Sequence, residues 1–199
     1  MNCKKLSLAS AAAIITLSLA APAIATDAIA EQKKPVSAKA EMINIKGDSI
    51  GEIVLGETKN GVVLLYGLHN LPAGEHSMHI HETGNCTPVQ TENETGSVKY
   101  FSNAYGHLNP DKKSHGFLDD NGPHAGDLPN FIVDSSNNAF GHIYNNRITI
   151  KDDNKNSGKA VLLDDDGAAI IIHSGQDDYA TQPTGAAGSR IACGVIKAE

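Results

Sequence analysis

Two histidines separated by one residue, His79-Ile80-His81, stand in the run Gly74-Glu75-His76-Ser77-Met78-His79-Ile80-His81. On a β-strand, residues two apart point to the same face, so these imidazoles converge. Two converging neutral rings offer a metal ion two nitrogen donors, whereas two protonated rings would repel. His76, three residues before His79, falls on the opposite face of a regular strand and reads as a hydrogen-bonded support. Downstream, His107, His115 and His124 follow at intervals of eight and nine, with Asp127 three residues after the last. Three imidazoles and one carboxylate make a closed four-ligand set of the kind that suits structural zinc. Gly116, Gly122 and Gly126 would let a loop fold round an ion. The bland alternative is a polar loop with incidental histidines; four candidate ligands in 21 residues weigh against it. His173 closes the apolar run Ala168–Ile172, so its backbone is rigidly placed at a strand end. It is a further ligand candidate.

These side chains must be positioned by a chain of 199 residues, enough for one well-packed domain. Hydrophobic residues make up 40% and charged ones 20%, which excludes wholesale disorder. Aromatics are only 5% and Trp is absent, so the core must rest on Val, Ile, Leu and Ala. Short apolar runs broken by turn residues begin at Glu41. Ile50–Leu55 and Val62–Tyr66 flank a segment ending in Asn60-Gly61, a strong hairpin signal. Phe131–Val133 and Ala139–Tyr144 flank 134–138 as a second hairpin. Met42–Lys46, Ser77–His81, Arg147–Lys151, Ala160–Leu163, Ala168–His173 and Ile191–Lys197 complete the strand candidates. No window predicts an amphipathic helix of three turns, so the expected fold is an all-β sandwich or barrel. Gly84–Asn109, Pro110–Asn130 and Gly175–Ser189 lack periodicity. Loops this long are uncommon in a compact domain and usually functional, and these hold or border most of the histidines.

The chain opens with a basic head, Met1 to Lys5, an apolar run from Leu6 to Ala21, and Ala23-Ile24-Ala25. That pattern predicts a signal peptide over 1–25, with Ala28-Ile29-Ala30 a second cleavage signal and an uncleaved anchor the alternative. Residues 26–40 read as a flexible leader and 41–199 as the domain. After cleavage the expected protein is exported to the periplasm and free of the membrane. Losing Lys4 and Lys5 takes the formal charge from −7 to −9, against the clustered basic surface that nucleic acid requires. Of three cysteines, Cys3 leaves with the signal. Cys86 and Cys193 most simply form one disulfide in an oxidising compartment, two separate buried thiols being the alternative. Such a bridge closes about 100 residues, worth up to ~4.7 kcal/mol in the chain-entropy picture.

Four segments in order carry a resemblance. Gly74–Cys86, Gly106-His107-Leu108-Asn109-Pro110, His124-Ala125-Gly126-Asp127-Leu128-Pro129 and Gly188-Ser189-Arg190-Ile191-Ala192-Cys193-Gly194-Val195 resemble the signatures of copper/zinc superoxide dismutases of the bacterial periplasmic type. The resemblance spans about Ile50 to Ile196. It implies a Greek-key β-sandwich or flattened barrel, immunoglobulin-like, with long metal-binding loops. It further implies copper on His79, His81, His107 and His173, and zinc on His107, His115, His124 and Asp127, with His107 shared. Asp177 falls where the family ties a copper histidine to a zinc histidine, with Asp178 beside it as a rival. Arg190 falls on the substrate-guiding arginine. Cys86 and Cys193 fall on the intrasubunit disulfide. His69 and His142 match no ligand position.

The reaction so implied is 2 O₂⁻ + 2 H⁺ → O₂ + H₂O₂, with His107 delivering a proton and Arg190 holding positive charge for the anion. A negative protein can attract an anion only through local field. Gly175–Ser189 contains no Lys, which leaves Lys99, Lys112 and Lys113 as steering candidates. The stretch from Cys86 to His107 is longer than in eukaryotic members, so a homodimer, if formed, should not use their contact. The competing reading is a non-catalytic protein that binds or delivers copper and zinc. It would need neither Arg190 nor a shared His107. A zinc hydrolase is disfavoured, because a closed zinc set leaves no position for water.

Overall fold

The computed structural model describes residues 37–88, 91–92, 98–152 and 158–199. The expected signal segment, and the leader as far as residue 36, lie outside the described residues. From Ser37 the chain forms β1 (Ser37–Asn44), β2 (Ser49–Thr58) and β3 (Gly61–His69) as an antiparallel meander. β4 (Gly74–His76) and β5 (Met78–His81) follow, interrupted at Ser77. A long excursion to residue 130 contains the short ribbon β6 (Thr91–Glu92) and β7 (Val98–Lys99) and a 3₁₀ turn at Ser102–Ala104. β8 (Phe131–Val133), β9 (Asn138–Asn145), β10 (Ile148–Thr149) and β11 (Ala160–Val161) come next. β12 (Ala169–His173) and β13 (Arg190–Ala198) end the chain, separated by loop 174–189.

Seven strands form one sheet in the order β5-β12-β13-β1-β2-β3-β9, and β4 pairs separately with β8. The result is an all-β, flattened barrel, and no α-helix occurs among the described residues. The inner face is aliphatic. Met42, Ile53, Leu55, Leu64, Met78, Ile80, Ile170 and Ile172 are all fully buried in one cluster. Fully burying a side chain of this kind stabilises the fold by about 1.5–3 kcal/mol. A second, smaller cluster on the outer side of the sheet joins Ala169, Ile171 and Cys193 to Phe101 and Ala104 of the long loop.

Three expectations need correction. Residues 37–40 belong not to the leader but to β1, which lies between β13 and β2 in the middle of the sheet. Ala38 and Ala40 are fully buried there. Alternating alanines carry little strand signal, because Ala is depleted in strands and only the pairing partners make the position β. The second expected hairpin has its turn but not its pairing. Asp134 Oδ1 accepts the N–H groups of Ser136 and Asn138, closing the turn, yet β8 pairs with β4 while β9 pairs with β3. The expected strand Arg147–Lys151 shrinks to Ile148–Thr149, paired in parallel with β11. The first hairpin forms as expected, with Thr58 opposite Gly61.

Candidate metal centre

Strand alternation decides which histidines can meet. On β5, Met78 and Ile80 enter the barrel core, so His79 and His81 project from the other face. There they lie opposite Ile171 and Ala169 of β12, both in the outer cluster. The free edge of β5 is covered by the long loop. Ile80 N–H donates to Gly126 O at 2.8 Å, and Leu108 N–H donates to Ile80 O at 2.9 Å. A Cβ on Gly126 would lie 2.1 Å from Ile80 O, so only glycine allows this approach. His107 and Asp127 are thereby set opposite His81 and His79.

One donor of each of His79, His81, His107 and His173 lies within 4.8 Å of the others, and all four residues are buried. Hydrogen bonds fix which nitrogen each ring presents. His79 Nε2–H donates to Asp177 Oδ2 at 2.8 Å, His81 Nδ1–H to Tyr105 O at 2.8 Å, and His173 Nδ1–H to Gly188 O at 3.3 Å. That leaves His79 Nδ1, His81 Nε2 and His173 Nε2 as lone-pair donors. With His107 Nε2 they are buried and have no hydrogen-bond partner. Four orphaned, buried imidazole nitrogens in one place fit a metal ion with nitrogen preference, and copper in either oxidation state accepts such a set.

The other nitrogen of His107 faces a second cluster. Asp127 Oδ1 lies 2.9 Å from His107 Nδ1, 3.1 Å from His115 Nδ1 and 3.3 Å from His124 Nδ1. Asp127 Oδ2 accepts the N–H groups of Gly116 and His124. Three nitrogens and one carboxylate oxygen, all buried, fit tetrahedral zinc. His115 Nε2–H donates to Asp177 Oδ1 at 3.0 Å, so Asp177 ties His79 to His115. Asp178 is exposed and caps its own turn through Ala180 and Thr181. Of the two carboxylates, Asp177 is the one that touches these histidines.

The electrostatics follow from burial. Burial, with His79 and His115 beside it, pulls the pKa of His107 down to about 4 against the opposing effect of Asp127. Burial also lowers His81 and His173. For His115, burial acts downward but the hydrogen bonds to Asp127 and Asp177 prevail and raise it to about 9. Burial alone would raise Asp127 and Asp177. Hydrogen bonds from the surrounding histidines outweigh it and hold both carboxyls well below the usual range.

A cavity of about 620 Å³ opens beside His81 and His173, with Arg190, Lys99 and Tyr105 in its wall. Arg190 donates to Phe101 O at 2.6 Å and to Tyr105 O at 2.5 Å, so its charge is held by the long loop. Of the three candidate steering lysines, Lys99 lines this cavity; Lys112 and Lys113 do not. Cys86 and Cys193 form the disulfide, with Cα atoms 5.6 Å apart, pinning the long loop to β13. His76 supports rather than converges. Its ring nitrogens face His173 O and Pro72 O, each at 2.8 Å. His69 and His142 are exposed, away from both clusters.

Sequence reasoning missed two contributors. The carbonyl of Tyr105 receives both His81 and Arg190, and its backbone sits at φ 56°, ψ −141°, where side chains other than glycine are strained. Arg147 reaches over the Phe117 ring and donates to His124 O and Asp127 O, gripping the segment that carries two of the converging groups. A backbone acceptor leaves no trace in sequence, and one arginine in a strand-like run gives no reason to single it out.

A profile of the family described as copper/zinc superoxide dismutase matches residues 49–196. The chain is 43% identical over 159 residues to a Cu-Zn superoxide dismutase of Aquifex aeolicus, covering 79% of this chain and 86% of the relative. It is 36% identical to a Cu-Zn superoxide dismutase of Caulobacter vibrioides, covering 76% of this chain and 80% of the relative. Among solved structures, a double mutant of a superoxide dismutase-like protein from Bacillus subtilis superposes with a TM-score of 0.69 at 34% identity. That match covers 79% of this chain and 95% of the other.

Proposed function

The chain belongs to the copper/zinc superoxide dismutase family, and from that membership we propose which of its residues carry the dismutation of superoxide. The enzyme converts two superoxide anions and two protons to dioxygen and hydrogen peroxide, with copper and zinc as cofactors. His79 Nδ1, His81 Nε2, His107 Nε2 and His173 Nε2 would hold copper. The Nδ1 atoms of His107, His115 and His124, with Asp127, would hold zinc. The observation that carries this reading is His107, whose Nε2 is orphaned among the first three histidines while its Nδ1 faces Asp127 at 2.9 Å. Bound there, copper supplies the one-electron redox chemistry of both half-reactions, and zinc, which has none, fixes the shared imidazole.

The chain's own groups do the rest. The Arg190 guanidinium, clamped on two carbonyls, offers a fixed positive charge to an anion in the cavity beside His81 and His173. Fixed donors of this kind need no reorganisation when charge arrives. Between the two half-reactions His107 would carry a proton at Nε2 and pass it to the forming peroxide as a general acid. Asp177 keeps the rings of His79 and His115 in one tautomer and orientation. The competing reading, metal binding without catalysis, leaves the clamped Arg190 without a task. The test is superoxide decay by protein loaded with both metals against a zinc-only control. Copper-dependent decay that slows with added salt supports the assignment, and slow decay at full copper occupancy defeats it.

The location is proposed on separate grounds. Residues 1–25 serve as a signal peptide and the protein acts in the periplasm. The support is the basic head, apolar run and Ala-x-Ala end, together with a disulfide of the kind that persists in oxidising compartments. Residues 26–36 form a leader, and the enzyme domain starts at Ser37. Among the described residues no helix is long and apolar enough to cross a membrane. The N-terminal sequence of the protein from a periplasmic extract tests this, and a start at Met1 would reject it.

A further inference from the structure

We propose that Gln182 and Asn130 are positioning residues, a reciprocal pair of clamps between the two loops of the centre, and that Gln182 controls how long zinc stays bound. The proposal rests on the assignment of His115 to zinc. A side-chain amide carries one acceptor and one donor group in a plane, as a peptide unit does. Gln182 uses both on a single residue. Its Oε1 accepts His115 N–H at 2.8 Å and its Nε2 donates to His115 O at 2.9 Å. Asn130 does the same in the opposite direction. Its Oδ1 accepts Asp177 N–H at 2.9 Å and its Nδ2 donates to Asp177 O at 2.9 Å.

Each loop thus grips the backbone of a residue in the other. The two gripped residues meet through their side chains, His115 Nε2 to Asp177 Oδ1 at 3.0 Å. Gly185 presses on that contact. A Cβ there would stand 1.8 Å from Asp177 Oδ1 and 2.6 Å from His115 Nε2, and its φ is +70°. Among the loop histidines, His107 is bridged to His81 and His124 is held through its carbonyl by Arg147, which leaves His115 to be supported in another way. His79, His81 and His173 lie on strands whose ladder bonds fix their backbones, whereas His115 lies in a loop with no ladder partner. The Gln182 amide stands in for the missing strand. Without it, His115 is free to swing its ring away from Asp127, which is the first motion zinc release requires.

The test uses the mature protein loaded with copper and zinc. Release of each metal is timed separately with chromogenic chelators, for wild type, Gln182→Ala, Gln182→Glu, Asn130→Ala and the double alanine variant. Partners of ligand histidines typically change metal affinity about 10- to 100-fold, and the expected effect here is about tenfold faster zinc release in Gln182→Ala with copper release unchanged. Gln182→Glu, which keeps the acceptor and loses the donor, should fall between. The double variant should show less than the product of the single effects, because both clamps act on one contact. Cobalt(II) at the zinc position should show an altered visible spectrum in Gln182→Ala. Unchanged zinc release, or equal acceleration of both metals, overturns the proposal. A His115→Ala control that keeps zinc as tightly as wild type overturns the ligand assignment, and the proposal with it.

Discussion

His173 and Arg190 lie opposite each other across β12 and β13, immediately beyond a bulge that pairs Ile172 with Ala192 and passes over Ile191. Counting back from Cys193, which faces the outer cluster, strict alternation would turn Arg190 into the barrel core. The extra residue restores the outward direction, and Arg190 reaches the cavity wall beside His81 and His173. Bulges commonly re-aim a side chain in this way, and here Ile191 packs on the core in its place.

Arg190→Ala should therefore lower kcat/KM for superoxide while leaving copper and zinc content unchanged, since Arg190 bonds to carbonyls and to none of the converging donors. Losing a focusing charge is expected to cost about 10- to 100-fold and to flatten the salt dependence. Stopped-flow decay at several ionic strengths measures both. Copper loss in the variant would show that Arg190 supports a ligand instead.

His107→Ala should separate the two metal positions. In protein carrying copper(II) and cobalt(II), wild type should show magnetic coupling through the shared ring, and the variant an isolated copper(II) signal by electron paramagnetic resonance. An isolated signal already present in wild type would refute the sharing.

Asp177→Asn should weaken zinc and copper binding together, because one carboxylate orients His79 and His115. The expected loss is about 10- to 100-fold in affinity. Asp178→Asn, on the exposed turn, should change neither. Competition titration of each variant against a chelator separates the two positions.

The metal-free protein should lose stability on acidification from about pH 6.5, the unfolded histidine value. The pKa of His107 is lowered to about 4 in the fold, and His81 and His173 are lowered too. Below 6.5 the unfolded chain therefore takes up protons that the folded one refuses, and stability falls towards pH 4. His115 acts in the other direction. Raised to about 9, it contributes stability that is full below about 6.5 and lost as pH rises through 9. Urea midpoints at pH 4.5, 6.5 and 9.5 read both limbs. A midpoint that rises between 6.5 and 4.5 contradicts the buried, neutral histidines.

Removing the disulfide with Cys86→Ala and Cys193→Ala should lower stability by about 2–5 kcal/mol. It should also loosen Phe101, which packs against Cys193 and whose carbonyl holds Arg190. Chemical denaturation and superoxide kinetics on the same variant should both respond. A stability loss with unchanged kinetics would uncouple the bridge from the cavity.

Local chemistry made much of this centre legible in the sequence. The spacing of His79 and His81 alone places two rings on one face, because a strand repeats every two residues. The ligand candidates from His107 to Asp127 cluster within one loop, so composition reveals them. The cysteine count gives one disulfide. The strand pattern gives an all-β fold. What remained hidden depends on partners far away in the chain. Neither β1 between β13 and β2, nor the bulge that aims Arg190, nor the separation of β8 from β9 follows from its own residues, because strand pairing is a relation between segments. The choice of Asp177 over Asp178 and the clamps of Gln182 on His115 and Asn130 on Asp177 are of the same kind. Hydrogen bonds between loops 47 to 67 residues apart exist only once the barrel has brought those loops together. Residue types and spacing name the groups able to bind metal; the folded barrel selects which of their atoms meet.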